Sequence, residues 1–101
     1  MTLKLTHQQA EGLKRLFDIV INPEKPADVA ERLVKALMFQ VYKKLRARLE
    51  SRIRDGYSLA LTDTEAMAFY VYFQKRDLGT DWIYEQFMIC QQLAELDKAY
   101  A

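Results

Sequence analysis

The chain holds one cysteine, Cys90, among 101 residues, so no disulfide can form within it. A reducing, cytoplasmic setting fits that count. It also holds one histidine, His7, with no second histidine or cysteine at ligand spacing, so no metal site is predicted. Glycines number three and prolines two, and no glycine-rich loop that could cradle a phosphate is present. No Glu-x-x-His pair and no assembled nucleophile–base motif occurs, so neither catalytic residues nor a cofactor are expected. Uncharged apolar runs fall well short of the roughly 20 residues of a membrane span. The start, Met1-Thr2-Leu3-Lys4-Leu5, lacks the apolar run of a secretory signal. Cys90 falls among apolar residues and is expected to be a buried, inert thiol. His7 is expected at the surface of a first helical turn.

What the chain does have is hydrophobic mass: half of its residues are apolar and 12% are aromatic. One domain spanning residues 1–101 can bury a core of that kind without staples. The net charge is only +1, but it is unevenly spread. Residues 1–55 carry 12 Lys/Arg against 7 Asp/Glu, and residues 56–101 carry 3 against 7. An acidic half packed on a basic half is the simplest account, within one chain or between two.

The stretch from Pro26 to Gly56 dominates the organisation. It predicts one helix of about 30 residues, roughly 45 Å long. Pro26 suits the first helical position, and Asp55-Gly56 reads as the stop. Ala30, Leu33, Val34, Leu37, Val41, Leu45, Leu49 and Ile53 recur at three- and four-residue steps, which predicts one buried stripe. Ala36, Met38, Phe39 and Tyr42 widen it in the first half. In the basic second half, Lys44, Arg48 and Arg52 fall at i, i+4 and i+8 and form a ridge, either a solvated face whose long stems cover apolar neighbours or a site for an anionic partner.

Three shorter helices surround this one. Thr6 and Gln9 make a capping box ahead of a first helix, whose Ala10, Leu13, Leu16, Phe17, Val20 and Ile21 share a face. Glu11 and Arg15 are expected to form an exposed pair on it. Asn22 to Pro26 makes the turn into the long helix. Tyr57, Leu59 and Leu61 alternate, which predicts an extended segment, either a connector or a strand pairing with a second copy. Thr62 and Glu65 form a second capping box and open the third helix, which runs to about Arg76. Ala66, Phe69, Tyr70 and Phe73 make one apolar face there, while Met67, Val71 and Tyr72 point elsewhere. Asp77-Leu78-Gly79 ends that helix, and Thr80 or Asp81 caps the fourth. On the fourth, Trp82, Ile83, Phe87, Ile89, Cys90, Leu93, Ala94 and Leu96 form an apolar arc. Tyr84 and Met88 interrupt its polar side.

The fold class that follows is all-α: four helices, one long and central, with a short extended segment before the third. For function the sequence supports a small non-enzymatic interaction or assembly protein, acting as a homodimer, with another protein partner also possible. Tyr57, Leu59, Leu61, Met67, Val71 and Tyr72 are the expected dimer interface. The alternative is a nucleic-acid-binding accessory protein using Lys44, Arg48 and Arg52. A helix-turn-helix is disfavoured, because Asp81, Trp82, Glu85 and Gln86 at the start of the fourth helix make a face that repels phosphate through its carboxylates and is partly apolar.

Overall fold

The computed structural model describes residues 2–50, 56–74, 79 and 82–100, and the side chains of all of these but 99 and 100. The fold is all-α, as predicted: four helices and a small two-stranded ribbon. In chain order it runs β1 (Thr2–Leu5), α1 (His7–Leu16), a π-helical turn (Phe17–Ile21), α2 (Val29–Glu50), β2 (Tyr57–Ala60), α3 (Asp63–Gln74) and α4 (Ile83–Tyr100).

The ribbon is the first departure from expectation. Tyr57–Ala60 is not a lone connector. It pairs antiparallel with β1 of its own chain, with Leu3 opposite Leu59 and Leu5 opposite Tyr57. All four of these side chains point inward and are buried. A strand must satisfy its backbone groups somewhere, and the N-terminus supplies the partner. Gly56 makes the entry to β2 possible: its φ is +109°, and a Cβ there would sit 3.1 Å from the Leu5 carbonyl oxygen.

Both predicted capping boxes form. Thr6 Oγ1 accepts from the Gln9 amide at 3.1 Å, and the Gln9 side chain accepts from the Thr6 amide at 2.9 Å. Thr62 Oγ1 accepts from the Glu65 amide at 3.2 Å, and Glu65 accepts from the Thr62 amide at 2.8 Å. α1 ends in the π-helical turn, closed by the Asn22 amide donating to the Phe17 carbonyl at 2.8 Å. That wider turn keeps both Phe17 and Ile21 in the core.

The long helix starts later than Pro26 suggested. Asp28 accepts from the Glu31 amide at 2.8 Å, so Asp28 is the cap and Val29 the first helical residue. A carboxylate that satisfies an orphan amide outweighs the preset φ of Pro26. The predicted stop at Asp55, the stripe residue Ile53 and the third helix's last turn near Arg76 lie outside the described residues, as do the caps Thr80 and Asp81. The 22 residues of α2 still span about 33 Å, against a longest molecular dimension of 39 Å.

Burial along α2 is shifted from the predicted stripe. Met38, Val41, Tyr42 and Leu45 are buried, Val34 and Leu49 are partly buried against the core, and Leu37 is half-buried. Ala30 and Leu33 are exposed. The buried residues of α2 run from Met38 to Leu45, in the middle of the helix. One cluster joins these residues to Leu13, Leu16 and Phe17 of α1, to Phe69 and Phe73 of α3, and to Met88, Ile89 and Leu96 of α4.

Candidate interaction surface

α2 and α3 run against each other, and one ion pair fixes their register. The Lys44 ammonium donates to Glu65, whose carboxylate is 2% exposed, and also to the Ala60 carbonyl at 2.9 Å. Burial alone would push the Glu65 carboxyl up, but hydrogen bonds from Lys44 and Thr62 outweigh it and hold the group below its ordinary value. Lys44 therefore spends its charge inside the fold. Arg52, the far member of the predicted basic ridge, lies outside the described residues. Other cations nearby also have local uses. Lys43 lies over the Phe39 ring at 4.9 Å, and Arg46 lies over Tyr42 at 5.7 Å.

Of the six residues predicted to form a dimer interface, the structure divides the set. Tyr57, Leu59, Leu61 and Tyr72 are buried in the core of the chain itself. The ribbon turns the first two inward, and Tyr72 packs edge-on to Phe73, its hydroxyl donating to Glu24 at 3.0 Å. Met67 and Val71 remain exposed on α3. Val71 joins Ala30, Val34 and Ile21 around a cavity of about 480 Å³ between α3 and the start of α2. Its size suits a small ligand, but its polar atoms are committed. Glu24 receives the Tyr72 hydroxyl and, at its carbonyl, the Lys35 ammonium. Asp28 and Glu31 both hold the helix start, Glu31 accepting from the Ala27 amide.

The fourth helix is turned differently from the predicted arc. Trp82, Met88, Ile89 and Leu96 are buried, together with Glu85. Met88, expected outside, is inside. Cys90, expected inside, is exposed. Ile83 is 67% exposed and Phe87 70%. Three contacts set this rotation. Trp82 lies under the Arg15 guanidinium at 4.7 Å, which takes Arg15 from its predicted partner Glu11. Glu85 lies against Gly12, where a Cβ would stand 3.2 Å from its Oε1. Gln92 donates to the Lys4 carbonyl at 3.4 Å. The sequence pattern could not choose among faces, because α4 is apolar on too many of them.

The rotation leaves Ile83, Phe87, Cys90 and Ala94 in a row on the outside, with Tyr84 beside them. Their spacing is four, three, four, as along the contact line of paired helices. Glu85, the only charged residue between Ile83 and Ala94, faces inward.

His7 is surface-exposed, as predicted, but tied on both sides. Nδ1 is 2.8 Å from the Tyr57 hydroxyl and Nε2 is 2.8 Å from the Glu11 carboxylate. With Tyr57 itself buried, the chain of contacts locks β2 onto α1. Among the described residues, no three His, Cys, Asp or Glu side chains are gathered to hold a metal ion. None of the described helices is long and apolar enough to cross a membrane.

No protein-family model, no curated protein and no solved structure matches the chain.

Proposed function

We propose that this is a small non-enzymatic assembly protein that acts as a homo-oligomer in a reducing, cytoplasmic setting. One observation carries the reading: large apolar side chains stay outside a core that is already filled. Leu33, Met67 and Val71 do so on α2 and α3, and Ile83 and Phe87 on α4. Single exposed apolar residues are ordinary, whereas rows of them on one helix mark contact surfaces. A two-fold dimer is the commonest way to cover such a row.

A nucleic-acid-binding role on α2 has less support, because Lys44 is spent on Glu65. The experiment is sedimentation of the full chain across the micromolar range. A mass that rises with concentration toward twice 11.9 kDa is the expected result. A mass that stays at the monomer value throughout overturns the reading.

A further inference from the structure

We infer that the partner of α4 is α4 of a second copy, laid antiparallel across a two-fold axis between Phe87 and Cys90. The inference rests on the homo-oligomer reading above and names its interface.

Three arguments lead to this occupant. The first is the fit of sizes. An axis between Phe87 and Cys90 sets Phe87 against Cys90 of the partner subunit and Ile83 against Ala94 of the partner subunit. Each large side chain meets a small one, which is how facing layers interdigitate without voids. A parallel arrangement sets large on large and small on small.

The second argument is charge. Nothing charged lies on the outer face from Ile83 to Ala94, so a copy of itself meets no repulsion there. The next position in the row is Asp97, which is exposed. Parallel pairing would bring the two copies of Asp97 together. Antiparallel pairing carries Asp97 past the partner's Ile83, outside the overlap.

Area is the third argument, and it sets the strength. A large aromatic side chain carries about 150–250 Å². On that scale the exposed parts of Ile83, Tyr84 and Phe87 leave roughly 300 Å² per copy to cover. Two copies, with Gln86 and Gln91 at the rim, approach the low end of specific interfaces, on the order of 1,000 Å². A contact of that size is a weak, reversible one.

Two measurements test this on the full chain. In sedimentation, Phe87→Glu is expected to weaken dimerisation at least tenfold, roughly 1.4 kcal/mol, while Val29→Glu, at an exposed position at the start of α2, leaves it unchanged; circular dichroism checks that both fold. In the second, Ile83→Cys and Ala94→Cys are each made with Cys90→Ser, then oxidised separately and as a mixture. A crosslinked dimer is expected only in the mixture. A wild-type chain that stays monomeric overturns both the assembly reading and this interface. A dimer that resists Phe87→Glu and gives no crosslink overturns the α4 interface alone. Crosslinking of either variant with itself overturns the antiparallel arrangement.

Discussion

Lys44 reaches from the surface of α2 to neutralise Glu65, a carboxylate buried at the start of α3. The two partners are unequal: the lysine is partly in water and the glutamate is not. Removing them should have unequal consequences. Lys44→Ala strands a buried charge and is expected to cost about 3 kcal/mol, whereas Glu65→Gln leaves a lysine that water can solvate and costs about 1–2 kcal/mol. Denaturant unfolding of the two variants at neutral pH checks the order.

The same pair predicts a pH dependence. The folded state holds the Glu65 carboxyl below its ordinary value. Its contribution is then fully present above the unfolded value and fades as pH falls through the folded one. The stability gap between wild type and Glu65→Gln should be constant from pH 7 to pH 5 and shrink below about pH 4. A gap that widens in acid would mean that burial, and not Lys44, dominates the group.

Gly12 and Glu85 set how closely α4 approaches α1. Gly12→Ala gains about 1 kcal/mol of helix propensity, but its methyl group meets the Glu85 carboxylate. The two effects are expected to cancel in the wild-type background. With Glu85→Ala the contact is gone, and Gly12→Ala should then stabilise by about 1 kcal/mol. A double-mutant cycle reads the coupling directly, and additive effects would show that the approach is not limiting.

Neighbouring residues on α3 should behave oppositely. Tyr72→Glu puts a second carboxylate beside the half-buried Glu24, at a position that is itself buried, and is expected to unfold the chain at room temperature. Val71→Glu, at a position 52% exposed, should change stability by less than about 0.5 kcal/mol. Thermal unfolding followed by circular dichroism separates them.

The N-terminal strand is part of the core and not a tail. Leu3→Ala should cost about 2–5 kcal/mol, as for a fully buried leucine. A change under 1 kcal/mol would mean that β1 frays and that β2 stands without it.

Local signals were legible in the sequence because their physics is local. Thr6 with Gln9, and Thr62 with Glu65, sit three residues apart, so the chain itself brings cap and amide together. The long helix was legible too, since no proline or glycine interrupts Val29 to Glu50. What the sequence left open depended on residues far apart. β1 was missed because four residues at a chain end alternate too briefly to register, and their meaning comes from Leu59 and Tyr57 more than fifty positions away. The facing of α4 was open because Ile83, Phe87 and Cys90 are as apolar as Met88, Ile89 and Leu96. Only the contacts of Trp82 with Arg15, Glu85 with Gly12 and Gln92 with Lys4 rotate the second set inward. Periodicity determined that this segment is a helix; tertiary packing decided which side of it remains exposed.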